Sequence, residues 1–338
     1  MEKVAVIGAG SWATALAYLL GNKGLPVKMW ARSSSVVQEI NEMRVNPGYL
    51  PGVALPKEVA VTGSIKDALS GAAVAIYAVP SNAFRQVLGE SLKHLPREAL
   101  IVNTAKGLEE STAKRLSEVF TELAGIKRAG YYNLLSGPSH AEEVGRDMPT
   151  AVAISGGEPE YMSFLQDVFM TNNFRVYANN DLIGVELAGA LKNIIALGTG
   201  IADGLGFGDN TRAALMTRGL AEISRLGIIM GADPLTFAGL AGVGDLIVTC
   251  TSPHSRNRRA GIEIGKGSTL EEAVKKVKMV VEGVRTTKVA KQLSELKEVE
   301  MPITSQMHEV LFNGLPAKKA VYNLMTREKN VEVKMWPQ

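Results

Sequence analysis

Three short stretches of the chain carry side chains able to do chemistry. In VELAGALKNIIALGTG, Lys192 has Ala188, Gly189, Ile195 and Ala196 as its neighbours at three and four residues' distance. None is acidic, so no ion pair along a helix can hold its ammonium. A lysine on such a small, apolar face either snorkels at an interface, reaches a partner from elsewhere in the chain, or works on a ligand. Burial would also lower its pKa toward the range useful for proton transfer. Asp245, between glycine-rich turns and an apolar run, is either a turn former or the partner of a distant lysine, and spacing leaves both open. In SPHSRN, Ser252 and Pro253 read as an N-cap and a first helical residue, so a helix is predicted to start there with Ser255, Arg256 and Asn257 in its first turn. A hydroxyl, a guanidinium, an amide and free backbone N–H groups together suit a phosphate monoester. A capped surface helix with solvated arginines is the plain alternative.

A second kind of chemistry lies at the start of the chain. Residues 4–13, VAVIGAGSWA, put G-x-G-x-x-A directly after an apolar β-type run and directly before a helix-forming stretch. Gly8 permits a tight turn, Gly10 leaves room for a pyrophosphate against the backbone, and Ala13 still allows close helix-to-strand packing. Ser11 and Trp12 open the helix whose free N–H groups attract that pyrophosphate. Glycine triplets occur by chance, and it is the placement between strand and helix that makes a dinucleotide site the expectation. The next β-type run, Val27 to Trp30, leads into Ala31-Arg32-Ser33-Ser34-Ser35 instead of the Asp or Glu that usually meets an unphosphorylated ribose. A cation and three hydroxyls suit a 2′-phosphate, so NADPH is favoured over NADH without NADH being forbidden.

These residues need a framework, and the pattern supplies one. β-type runs at 3–8, 26–30, 73–79, 99–103, 131–136, 150–155 and 173–178 alternate with helical patterns, which predicts an α/β fold with a Rossmann-like, doubly wound, mostly parallel sheet. The segment 46–63, with three prolines and several glycines, reads as an ordered loop with a short strand at most. From about residue 181 the pattern turns helical, so a nucleotide-binding domain over 1–180 and an all-α substrate and catalytic domain over 181–338 are expected, without a flexible linker. A chain of 338 residues suits two domains. The formal net charge is +3, and the most basic run, Arg256 to Arg259, is too short for a nucleic-acid surface. The single cysteine, Cys250, excludes an internal disulfide and suits a reducing compartment. The first strand is predicted at residue 3 or 4, leaving no room for a targeting peptide, and no apolar segment is read as approaching the ~20 residues of a membrane span. A cytoplasmic location is the expectation, and no metal is among the expected ligands.

Seven stretches in order, GAGSWATALA at 8–17, NPGYLPGVALP at 46–56, KGLE at 106–109, SGPSHAEEV at 136–144, ELAGALKNIIALGTGIADGLGFGDNTRAAL at 186–215, LAGVGDLIVTCTSPHSRNRRAG at 240–261 and VVEGVRTT at 280–287, closely resemble bacterial-type NAD(P)-dependent glycerol-3-phosphate dehydrogenases. The resemblance runs to about residue 325. It implies reversible reduction of dihydroxyacetone phosphate to sn-glycerol 3-phosphate, a precursor of membrane glycerophospholipids, with Lys192 as general acid/base. It also implies substrate contacts from Lys106, Gly137, Ser139, Lys192, Asp245, Ser255, Arg256 and Asn257. For the cofactor it implies Ser11, Trp12, Arg32, Lys106, Ala141, Arg256, Val280 and Glu282, beside Gly8 and Gly10 of the glycine turn. A homodimer is expected from the resemblance alone.

Three positions depart from the resembled pattern: Ala13 replaces a frequent glycine, His140 stands where Phe is usual, and Ala260 replaces an aromatic. They leave the chemical groups in place but bear on packing near the site. A 3-hydroxyacid or 6-phosphogluconate type of dehydrogenase is the alternative of similar build. A non-catalytic NADPH sensor is the alternative of a different class, although a sensor would have no use for Lys192, Asp245 and the SRN cluster.

Overall fold

Ten strands punctuate the first half of the chain in the computed structural model, which describes residues 3–329, 331 and 332. The outermost residues of both expected domains, 1–2 and 333–338, and residue 330 lie outside the described residues. The strands are β1 Val4–Ile7, β2 Val27–Trp30, β3 Val45–Asn46, β4 Leu50–Ala54, β5 Val59–Thr62, β6 Val74–Tyr77, β7 Leu100–Asn103, β8 Tyr132–Ser136, β9 Thr150–Gly156 and β10 Phe174–Asn179. Eight of them form one sheet in the order β10-β9-β8-β7-β6-β1-β2-β5. All neighbours run parallel except β8 and β9. Each β-type run of the sequence falls on one of these strands. β1 is buried throughout because both faces of the sheet are covered: Val4 and Val6 join one apolar core, Ala5 and Ile7 the other.

The chain leaves β1 for β2 and β5 on one side, then returns for β6 and β7 on the other. A crevice must therefore open at the carboxyl ends of β1 and β6. The turns that follow β1, β2, β6, β7 and β8 all leave that same edge, and they carry Gly8, Arg32, Ser81, Lys106 and Gly137.

The segment 46–63 is more ordered than its prolines suggest. β3 and β4 form an antiparallel hairpin, and β5 extends the main sheet at its edge, Val59 pairing with Val27. Proline is tolerated because β4 belongs to a two-stranded ribbon, where a ladder donor can be missing. The hairpin braces the glycine turn: Asn46 Nδ2 donates to the Ala9 carbonyl at 2.9 Å and to Thr14 Oγ1 at 2.8 Å, and Ser11 Oγ donates to the Tyr49 carbonyl at 2.6 Å.

The second half is helical and built around the helix Leu182–Gly204, whose first turn is capped by Asp181 accepting from the Gly184 N–H. This helix is long and apolar enough to cross a membrane, contrary to the expectation that no segment approaches that length. It is instead enclosed by the protein, with 89% of its most apolar window buried. Close to its start, the buried Glu186 fastens it to the sheet half. Its carboxylate accepts from Arg115 Nη1 and the Ser117 N–H, both at 2.9 Å, from Ser117 Oγ at 2.5 Å and from Tyr132 OH at 3.2 Å.

The helix Arg256–Gly265 lies against the far end of this central helix, backbone to backbone. A methyl group on Gly200 would sit 2.1 Å from the Arg258 carbonyl oxygen, and one on Gly261 2.1 Å from that of Leu197. Gly204 and Gly265 repeat the arrangement one turn on, against Ile262 and Ile201. Four glycines spaced four apart on two helices let the axes approach more closely than side chains would permit.

The start of the helix Arg256–Gly265 corrects the reading of Ser252 and Pro253. The preceding helix, Asp245–Thr251, still holds Ser252, whose N–H bonds to the Val248 carbonyl. Ser252 Oγ then accepts the His254 N–H at 3.1 Å. The next helix begins three residues later than predicted, with Ser255 as the N-cap accepting from the Arg258 N–H. Ser255 offers the same capping chemistry as Ser252, and only the second serine faces a helix start that is free.

Candidate active site

Lys192 reaches a partner from elsewhere in the chain. Its Nζ donates to Asp245 Oδ1 at 2.5 Å and to Thr249 Oγ1 at 2.6 Å, while Lys106 Nζ donates to Asp245 Oδ2 at 2.8 Å. Asp245 is thus a two-lysine acceptor at the first residue of its helix, the second of the two roles its sequence context left open. It is 1% exposed and Lys192 4%. The carboxylate between two cations is the arrangement that makes such burial tolerable. Thr249, four residues on, donates its own hydroxyl hydrogen bond to the Asp245 backbone carbonyl at 2.6 Å. An ammonium carries three protons, so Lys192 has one left after Asp245 and Thr249.

The electrostatics of the group run in two directions. Burial, aided by repulsion from Lys106, brings Lys192 down from 10.5 to about 7, against the pull of Asp245. Burial also disfavours the Asp245 charge, yet Lys106 and Lys192 outweigh it and hold that carboxyl below its ordinary value. The result is an ionised aspartate beside a lysine that gains and loses its proton near neutrality. Lys106 further donates to the Gly137 carbonyl at 2.8 Å, which also accepts from Ser139 Oγ at 2.9 Å. Five of the predicted substrate residues, Lys106, Gly137, Ser139, Lys192 and Asp245, are therefore joined by direct hydrogen bonds.

The SRN segment is tied to this centre by amides. Asn257 Nδ2 donates to Asn193 Oδ1 and its Oδ1 accepts from the Gly283 N–H, both at 2.9 Å, while Asn193 Nδ2 donates to the Lys106 carbonyl at 3.1 Å. Ser255 and Asn257 are buried and engaged in the framework. Arg256 is exposed and has no ion-pair or hydrogen-bond partner among the described residues. Arg258, in the same basic run, is held by Asp203 through Nε at 2.8 Å.

The crevice fits a dinucleotide. Gly8 has φ +129°, and a methyl group there would lie 2.5 Å from the Ala78 carbonyl oxygen, so only glycine lets β1 and the strand beside it close at this turn. A methyl group on Gly10 would meet nothing within 4 Å, and the helix Ser11–Asn22 that follows has no side-chain cap. Uncapped N–H groups beside open space are what a pyrophosphate requires. Trp12 packs half-buried on the core and Ala13 is fully buried. Arg32 is exposed after β2, partnerless among the described residues, just before the uncapped helix Ser34–Met43. Ala141 is buried at the start of a short helix after Ser139, and Val280 is half-buried. Glu282 is occupied: its carboxylate accepts from the Ser81 N–H at 3.0 Å and Ser81 Oγ at 2.7 Å, capping the helix Ser81–Leu92 on the crevice wall.

Sequence reading missed Thr249, Asn193, Glu186 and Asn46 as members of this framework, whereas Ser81 lies in the stretch Val79 to Asn82 that follows a strand and reads as a candidate lining of the cofactor cleft. Thr249 alone left a local signal, since it lies one helical turn after Asp245.

The first 160 residues and the helical half match two models of one family. Residues 3–162 match the NAD-dependent glycerol-3-phosphate dehydrogenase N-terminus and residues 181–322 match its C-terminus. The chain is 63% identical over 331 residues to a glycerol-3-phosphate dehydrogenase [NAD(P)+] of Pelotomaculum thermopropionicum, covering 98% of this chain and 95% of that one. The chain belongs to the NAD-dependent glycerol-3-phosphate dehydrogenase family. A second family member of the same name, from Carboxydothermus hydrogenoformans, is 54% identical, with 98% of each chain covered. The crystal structure of glycerol-3-phosphate dehydrogenase from Coxiella burnetii superimposes with a TM-score of 0.92 at 38% identity, covering 96% of this chain and 99% of that one. Membership makes the chain an NAD(P)-dependent oxidoreductase and sets aside the 3-hydroxyacid and 6-phosphogluconate alternatives.

Proposed function

We propose that the chain catalyses the reversible reduction of dihydroxyacetone phosphate to sn-glycerol 3-phosphate, with Lys192 as general acid/base. The observation that carries this reading is the third, uncommitted proton of a buried ammonium whose pKa lies at about 7. Near neutral pH such a group is present in both forms, as acid for reduction and as base for oxidation. In reduction Lys192 protonates the ketone oxygen; in oxidation its neutral form removes the hydroxyl proton. Asp245 and Thr249 fix the direction of that proton, and Asp245 keeps the ammonium available as the oxygen becomes negative. The bound nicotinamide cofactor supplies or accepts the hydride.

Lys106, Gly137 and Ser139 orient the reacting end of the substrate. Arg256 meets its phosphate at the helix start that Ser255 caps, and Asn257 holds that helix in place. Gly8, Gly10, Ser11, Trp12, Arg32, Lys106, Ala141, Arg256 and Val280 line the dinucleotide, and Glu282 supports the wall at Ser81. Arg32 with its three serines favours NADPH. Residues 1–180 form the cofactor domain and residues 181–338 the helical catalytic domain, with Lys106, Gly137 and Ser139 of the first reaching the substrate and Arg256 and Val280 of the second reaching the cofactor. The protein works in the cytoplasm as a homodimer, its product serving glycerophospholipid synthesis.

Loss of nicotinamide absorbance on mixing the protein with dihydroxyacetone phosphate and NADPH, then NADH, tests the proposal. Rapid oxidation supports it and ranks the cofactors. Cofactor binding without oxidation would overturn it in favour of a sensor.

A further inference from the structure

His140 is a polar group inside the site that the reaction as described leaves unused. It follows Ser139 at the exit of β8, and its Nε2 is buried without a hydrogen-bond partner among the described residues. Buried polar atoms are nearly always paired, so an orphan in a binding site points to a partner that arrives with the ligand. Two sets of neighbours define what that partner is. One is the set of charges whose field reaches the ring, Lys192, Lys106 and Asp245 of the lysine centre and Glu142 of the following turn. The other is His254, whose ring lies 5.8 Å from that of His140 at 55° and which immediately precedes Ser255 and Arg256. His140 thus bridges the proton-transfer centre and the helix start assigned to phosphate.

We propose that His140 donates a hydrogen bond from Nε2 to the phosphate of the bound substrate, making it a specificity-determining residue alongside Arg256. This rests on the assignment of dihydroxyacetone phosphate as substrate. Burial and the two lysines hold the imidazole below its ordinary pKa, so near pH 7 it is neutral, with a single N–H to give. A dianionic phosphate is the acceptor that best rewards such a donor, because a hydrogen bond to a charged partner is roughly twice as strong as a neutral one. Phe, the residue usual here in the resembled pattern, would keep the ring and lose the donor.

The test compares wild-type protein with His140→Phe and His140→Gln. The readouts are KM for dihydroxyacetone phosphate, the inhibition constant of inorganic phosphate competing with it, and NADPH affinity by fluorescence titration. In His140→Phe, KM and the phosphate inhibition constant should both rise by about ten-fold, the scale of one hydrogen bond to a charged acceptor. The values of kcat and NADPH affinity should stay near wild type. Glutamine, whose amide nitrogen can stand in for Nε2, should recover most of the loss. An unchanged KM in His140→Phe would make His140 a packing residue and overturn the proposal. A raised KM with an unchanged phosphate constant would also overturn it, by moving the contact to the ketone end. Failure of the wild-type protein to turn over dihydroxyacetone phosphate would instead sink the substrate assignment beneath it.

Discussion

The glycine turn after β1 and the lysine centre of the long helix are built by opposite means. At the turn the backbone is what is presented: Gly10 leaves open space and the helix Ser11–Asn22 offers uncapped N–H groups. At the centre, side-chain charge does it, with Asp245 buried between two lysines. The first site is specified by about ten consecutive residues. The second is assembled from positions 106, 192 and 245, brought together across the two halves of the chain. Local sequence encodes a shape well, but a buried charge has meaning only beside its partner.

The contrast can be broken most severely at its charged end. Lys192→Ala should lower kcat on the order of 10³-fold, within the range of a positioned general acid/base. NADPH affinity should be unchanged, because the backbone site is separate; parallel loss of both in titration and rate measurements would join what we have separated. Wild-type pH profiles sharpen the same point. As the proposed acid, Lys192 is protonated for reduction, so kcat for reduction should fall as pH rises through about 7, and kcat for oxidation should rise over the same interval. Asp245 holds the Lys192 pKa up, so in Asp245→Asn both transitions should move to lower pH. A profile that stays put would remove Asp245 from the control of that proton.

Smaller effects test the framework and the cofactor side. Gly261→Ala forces a methyl group onto the Leu197 carbonyl and should destabilise the protein by about 1–3 kcal/mol, the usual scale of overpacking. A thermal melt unchanged from wild type would show that the two helices can part without loss. Arg256→Ala should raise KM for dihydroxyacetone phosphate roughly ten-fold through one lost charge-assisted contact. Arg32→Asp should shift the ratio of NADPH to NADH efficiency toward NADH by several-fold, about the effect of one charged hydrogen bond at an exposed site.

The same contrast explains what the sequence disclosed. The strands of the sheet, the glycine turn and the change to helices near residue 180 all rest on short-range pattern, and all are visible in it. The hairpin and edge strand within 46–63 were obscured because prolines there signal loop, although a two-stranded ribbon accommodates them. The reversal of β9 against β8 left no local trace, since direction within a sheet is a property of the connection. The helix after Ser252 was misplaced by one turn because two serines three residues apart carry the same signal. Lys192 stood out by what its neighbours lacked. Asn193 and Glu186 did not, because each acts through contacts dozens of residues away, and the only local sign of Thr249 was its place one turn after Asp245.

The glycine seam between the helices Leu182–Gly204 and Arg256–Gly265 also makes the site a gauge of length. Where side chains separate two helices, a change of rotamer lets one slide past the other. Here main chain meets main chain at four points, and nothing between them can be rearranged. The distance between the two helix axes, and with it the offset of the helix start at Ser255 from the turn that carries Lys192, is therefore held by backbone contact. If Lys192 and the start of the helix Arg256–Gly265 take opposite ends of one substrate as proposed, that fixed offset sets the length of molecule that engages both.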